Sequence, residues 1–229
     1  MANPCTAVKP HQYMKKQDKV STTGEHRDVD PFKPAEIDAI LTACRNQAER
    51  NLIQFAFFSG LRSSELAGLK WRDVDLGSNE VRIKEAVIRD PANKESITKG
   101  PKTSSGIRSI ELLPEAIEAL TSQQAITEAK SEFVFEEPKQ GKPLTGADQI
   151  RKNIWVQVLE HSNVRYRHPY QTRHTFATML ISRGANLWWV ADQMGHNGPE
   201  MLFRHYGNYI KEHDKKSGQG FSSQIDIGA

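Results

Sequence analysis

Two cysteines, Cys5 and Cys44, are all that this 229-residue chain contains. They cannot build a disulfide framework and lack the paired spacing of a zinc site, so the count suits a reducing, intracellular setting. No apolar run approaches the roughly 18 residues of a membrane span. The first residues hold no apolar segment of the kind that directs export. No membrane partner is therefore expected, and a cytoplasmic location is. Strong charge of one sign is missing too: 31 Lys and Arg against 28 Asp and Glu leave a net +3. That balance permits a nucleic-acid partner, but a plain solvated surface explains it more simply. There is no glycine-rich phosphate loop, no metal-ligand spacing and no internal repeat. The length allows one or two domains with a sizeable core.

What is there reads mostly as helix. Residues 1–30 are polar, with Pro4, Pro10 and Gly24, and hold no period, so they read as an irregular linker. Pro34 suits a first helical position, and Ile37, Ile40, Leu41 and Cys44 follow at helical spacing. A second helix is expected over 48–59, stopped by Gly60. Ser63 to Glu65 start a short helix carrying Leu66 and Leu69, with Arg62 at its mouth. Residues 74–88 read as a hairpin about a GSNE turn, 90–101 as a loop, and 107–112 as a strand. Further helices are expected over 114–129, 146–160, 171–183, 187–194 and 199–211. Residues 133–135 are read as a short edge strand, and 141–143 as a turn. The expected architecture is mainly α with one small antiparallel β-sheet (α+β), over residues 31–215. A mobile tail, 216–229, follows.

The densest group of chemistry-bearing residues runs from His168 to Tyr206. It holds Arg173, His174, His196 and, ten positions after His196, Tyr206. Cations, proton carriers and a hydroxyl nucleophile suit chemistry on a phosphodiester. Each residue also has a plain reading. A phenol with an ordinary pKa of about 10 needs nearby cations or a base to attack; otherwise Tyr206 is a helix tyrosine with its ring in the core. Tyr209 competes for the role from nearly the same helix face. Arg62 can point its fork at phosphate oxygens or simply pair with Glu65. Arg173, near the start of an apolar helix, needs a partner, either a structural carboxylate or a substrate phosphate. Lys102, beside Lys99, is either a solvated turn lysine or an acid for a leaving oxygen.

The order of these segments is more specific than any one of them. GLRSSEL, PKTSSGIRSIEL, YQTRHTFATML, MGHNGPEM and the following Tyr206 resemble the motif set of the tyrosine recombinases, the phage-integrase family, over about residues 31–212. The resemblance implies the catalytic-domain fold of the DNA breaking-rejoining enzymes. It also implies site-specific recombination through a 3′-phosphotyrosyl intermediate. By position, Tyr206 attacks the scissile phosphate. Arg62, Arg173 and His196 stabilise its transition state, and Lys102 protonates the leaving 5′ oxygen, with Lys99 as the substitute if the register is shifted. Glu65 and His174 hold the arginines and the helix in place. The tyrosyl ester conserves the bond energy, so no cofactor and no metal is implied. The implied partner is double-stranded DNA, bound by a homotetramer assembled on it from monomers. The implied setting is bacterial or phage-encoded and nucleoid-associated.

The pattern is departed from in two places. Tyr170 stands where the family has a histidine. It can donate a hydrogen bond but is a poor base at neutral pH, which leaves open what takes the proton of Tyr206. Residues 1–30 correspond to a linker or to the end of a missing N-terminal DNA-binding domain, so weak DNA binding and little complete recombination are expected of this chain. Two other readings remain: a DNA-binding module with impaired catalysis, which Tyr170 favours, and a topoisomerase IB-like enzyme that relaxes DNA without exchange.

Overall fold

The computed structural model describes residues 29–90, 95–100 and 107–214, with side chains to residue 210. Residues 1–28 of the expected linker, the C-terminal tail 216–229 and Lys102 lie outside the described residues. The elements run in the order α1 (Pro34–Thr42), α2 (Gln47–Ser59), α3 (Ser63–Gly68), β1 (Val74–Asp75), β2 (Glu80–Ile83), β3 (Ala86–Arg89), β4 (Ser96–Lys99), β5 (Arg108–Glu111) and α4 (Pro114–Thr127). They continue with β6 (Glu136–Glu137), β7 (Lys142–Pro143), α5 (Ala147–Gln149), a π-helical stretch (Ile150–Trp155), α6 (Val156–Ser162), α7 (Gln171–Ser182), α8 (Leu187–Met194) and α9 (Glu200–Asp214). The mainly helical expectation holds.

The strands differ from the expected single sheet. Three small antiparallel sheets form, in the orders β1-β2-β5, β3-β4 and β6-β7. The run 81–88 is broken after Ile83: β2 pairs with β5, whereas β3 pairs with β4. Residues 96–99, expected as loop, are therefore a strand. That hairpin lies mostly outside the core, with Val87 buried and β4 largely exposed, so no apolar alternation marks it. Phe133 makes only an isolated bridge with Lys70 instead of an edge strand. The expected turn at 141–143 contains β7.

Two buried clusters organise the packing. The larger gathers α1 to α4, the sheet residues Val81, Ile83 and Ile110, and Trp155, Val158 and Leu159. The second is built from α7, α8 and α9 around Phe176, Val190, Met194, Leu202 and Tyr206. Helix α7 joins them, packing on α2 on one side and on α8 and α9 on the other. Gly60 makes the close α2–α7 approach possible. Its φ of 66° is the left-handed helix stop, and a Cβ there would stand 2.5 Å from the Phe176 ring. The segment leading into α1 is tied to α7 as well. Asp30 N donates to Gln171 Oε1 and Phe32 N to Thr175 Oγ1, both at 2.9 Å. No helix among the described residues is long and apolar enough to cross a membrane.

Candidate active site

Arg62 is placed by the spacing of its own segment. It is the residue before α3, and Glu65 reaches back to its backbone N–H at 2.9 Å, a helix-start box that fixes the arginine. The same carboxylate accepts from Arg62 Nη1 at 3.0 Å. It is also forked by Arg108 from β5, whose Nη1 and Nη2 donate to Oε1 and Oε2 at 3.1 Å each. Burial alone would push the Glu65 carboxyl up. The charge and hydrogen bonds of Arg108, then the charges of Arg62 and Arg173, overcome it and hold the pKa at about 2. Arg108 Nε also donates to Gln193 O at 3.0 Å, so one guanidinium ties α3 to the end of α8. Replacing Glu65 with glutamine should leave these cations uncompensated. The expected cost is about 3 kcal/mol of stability, read as a lower urea midpoint at unchanged slope.

Arg173 is 1 % exposed, and its partners within the fold are main-chain carbonyls rather than a carboxylate. Its Nη1 donates to Gly60 O at 2.6 Å, its Nη2 donates to Met194 O, and its Nε is buried without a partner. These carbonyls close the C-termini of α2 and α8, the negative ends of two helices. Burial, followed by the charge of Arg62, lowers the guanidinium to about 10, still protonated at neutral pH. Nη2 also lies 3.2 Å from His196 Nε2. Arginine can only donate, so Nε2 accepts and the ring proton sits on Nδ1. His196 follows Gly195, the left-handed stop of α8 (φ 66°), against which Arg108 packs. Burial, with Arg173 and Arg62 beside it, lowers the His196 pKa to about 3.

Tyr206 is 2 % exposed and sits within the α7–α9 cluster. Its hydroxyl meets His174 Nδ1 at 2.7 Å. Burial raises the phenol pKa above the ordinary value, against the pull of Arg173. Burial and then Arg173 lower the His174 pKa to about 4. The Tyr170 ring meets His174 edge-on, with centroids 5.0 Å apart. His168, two residues earlier, accepts the Tyr170 backbone N–H at 3.2 Å. Arg62, Tyr170, Arg173, His174, His196 and Tyr206 all line one pocket of about 230 Å³.

Six of the sequence-derived residues thus converge. Glu65 stands behind them, holding Arg62 as expected. His174 bonds the tyrosine and so links α7 to α9. Lys102 lies outside the described residues, and Lys99 ends β4 exposed. Sequence reading missed Arg108, and also Arg204 and His205, which share the pocket. The basic run just before Tyr206 was the available signal for the last two.

The two histidines make the fold acid-sensitive. Each is held neutral when folded and titrates near 6.5 when unfolded. Their folded pKa values are depressed, so the stability they contribute is complete above about 6.5 and is lost as pH falls toward 4 and 3. Urea unfolding at pH 5 should show about 4 kcal/mol less stability than at pH 7, about 2 kcal/mol from each histidine.

The chain matches the phage integrase family over residues 31–213. It belongs to that family. Among the relatives of this integrase-family domain is the prophage integrase IntR of Escherichia coli K12. The two are 34 % identical over 206 residues, covering 80 % of this chain and 48 % of that protein. A tyrosine recombinase XerC-like protein of Caldanaerobacter subterraneus is 27 % identical over 228 residues, 91 % of this chain and 56 % of that protein. The chain thus spans about half the length of the relatives it matches. Among solved structures, the Tn1549 transposon integrase in complex with transposon right end DNA superposes with a TM-score of 0.69 at 22 % identity, covering 86 % of this chain and 67 % of that one. XerA recombinase gives 0.64 at 17 %, covering 83 % and 66 %. These likenesses establish the tyrosine recombinase catalytic-domain fold.

Proposed function

We propose that this domain is the catalytic part of a site-specific DNA recombinase that cuts and rejoins strands through a 3′-phosphotyrosyl link. The observation that carries the reading is the convergence of Arg62, Arg173, His196 and Tyr206 on one pocket. An anion enters where two guanidinium groups stand together and the histidines beside them are neutral. Tyr206 Oη attacks the phosphorus, and Arg62 and Arg173 neutralise the added charge of the five-coordinate transition state. His196 hydrogen-bonds the phosphate after turning from Arg173. Tyr170 contributes a hydroxyl donor, Glu65 keeps Arg62 aimed, and Lys102 protonates the leaving 5′ oxygen. The relatives named integrase and recombinase support the same reading. The substrate is double-stranded DNA, and complete exchange takes four copies on two duplexes in a cytoplasmic, nucleoid-associated setting.

The test is a pool of nicked duplexes, randomised around the nick, in which a cut strand end diffuses away and traps the enzyme. The expected result is an adduct that survives detergent, with the DNA-linked peptide mapping to Tyr206. DNA retained without any covalent adduct would favour the impaired binding module that Tyr170 brings to mind. An adduct mapping to another residue would overturn the assignment of the nucleophile.

A further inference from the structure

We propose that His174 is the general base of strand cleavage, its Nδ1 taking the proton of Tyr206 Oη as that oxygen bonds to phosphorus. The inference rests on the proposed function and adds the proton acceptor which that reading lacks. Tyr170 is a phenol and cannot fill the post at neutral pH. His196 Nε2 faces Arg173 at 3.2 Å in the free protein and is committed to the phosphate once that enters. The His205 ring stands 6.3 Å from the Tyr206 ring, centroid to centroid. His174 alone among the histidines lining the pocket is hydrogen-bonded to the tyrosine oxygen, at 2.7 Å.

The direction of that bond follows from a count of buried atoms. His174 Nε2 is buried without a partner. If Nδ1 carried the proton, the Tyr206 hydroxyl proton would lose its acceptor and the Nε2 lone pair would also go unmatched. If Tyr206 donates, only the Nε2–H is unmatched. The second arrangement leaves fewer orphans. Tyr206 therefore donates to a bare Nδ1, the starting geometry for general-base removal of its proton. The Tyr170 ring holds the imidazole edge-on from the other side.

Substrate turns this base on. Burial opposes the charged imidazolium, and so do Arg173 on the same helix and His205 on α9; the rings of Tyr170 and Tyr206 also face it. A phosphate drawn in by Arg62 and Arg173 offsets the cationic field and restores proton affinity to His174. The step balances. The Oη–P bond forms, the P–O5′ bond breaks with its electron pair on O5′, the phenolic proton moves to Nδ1, and O5′ takes a proton from Lys102 or water. In rejoining, the proton returns from His174 to Tyr206.

The experiment compares the whole chain with His174→Asn on a trapped duplex, using both an ordinary phosphate and a 5′-bridging phosphorothiolate. Asparagine keeps a hydrogen-bond acceptor near Nδ1 but is no base. Adduct formation should fall at least about 100-fold, and the thiolate, which needs no acid, should not restore it. Retention of the wild-type rate, or rescue by the thiolate, would overturn the proposal. If His174→Asn fails to fold, nitrogen-15 histidine spectra of the wild type and Tyr206→Phe decide. A neutral ring protonated on Nε2, whose Nδ1 signal moves in Tyr206→Phe, is expected; a protonated Nδ1 would sink the idea. A wild-type chain that forms no adduct would remove the proposed function and this inference together. A normal adduct in His174→Asn would remove this inference alone.

Discussion

Tyr206→Phe is expected to abolish the covalent adduct and also to lower stability. The ring stays in the α7–α9 cluster, so the fold is kept. The lost hydroxyl is the partner of His174 Nδ1, and the other nitrogen of that ring is already buried without one. A buried polar atom stripped of its partner costs about 1–3 kcal/mol, which in a domain of this size lowers Tm by several degrees. Calorimetry on the free protein reads this second effect without DNA. Tyr209→Phe is the control: Tyr209 is half-buried and outside the pocket lining, and its adduct should form at the wild-type rate. An adduct that persists in Tyr206→Phe, or an unchanged Tm, would contradict the buried hydroxyl–imidazole pair described here.

The residues that could be read from the sequence are those whose roles are local. Gly60 stops its helix because a left-handed residue ends it, and Glu65 fixes Arg62 because a carboxylate three residues into a helix reaches back to its start. Arg108 was not legible. It acts on Glu65 from 43 residues away, and in an alternating strand it looks like an outward-facing cation. The β3–β4 hairpin escaped because almost none of it is buried, so burial left no pattern to read. The tyrosine contact of His174 was not legible, for a geometric reason. His174 is adjacent to Arg173 in sequence, but successive residues on a helix point roughly 100° apart. Arg173 therefore faces the ends of α2 and α8, while His174 faces α9 and the tyrosine. The convergence of the site was legible only as an order of motifs. The His174–Tyr206 contact joins α7 and α9, and no spacing encodes it.

Arg173→Lys is expected to lose both stability and cleavage, although the charge is conserved. Separate nitrogens of the guanidinium serve carbonyls at the ends of two different helices, Gly60 O and Met194 O. An ammonium is a single point on a flexible stem and cannot hold both sides of this gap with the same geometry. Losing one charged hydrogen bond costs about 1.5–3 kcal/mol, so urea unfolding should show a loss of about 2 kcal/mol. The α8 end that is released carries Gly195 and His196, so the histidine loses its place in the pocket as well as its bond to Arg173. Cleavage should fall about 100- to 1000-fold, the scale of removing one transition-state donor, when measured well below the melting transition. The two readouts separate the roles. Normal stability with lost cleavage would make Arg173 a ligand for the phosphate alone. Lost stability with normal cleavage would make it a helix clamp alone. The geometry requires both losses, because the two helix ends are held by the same guanidinium that lines the pocket.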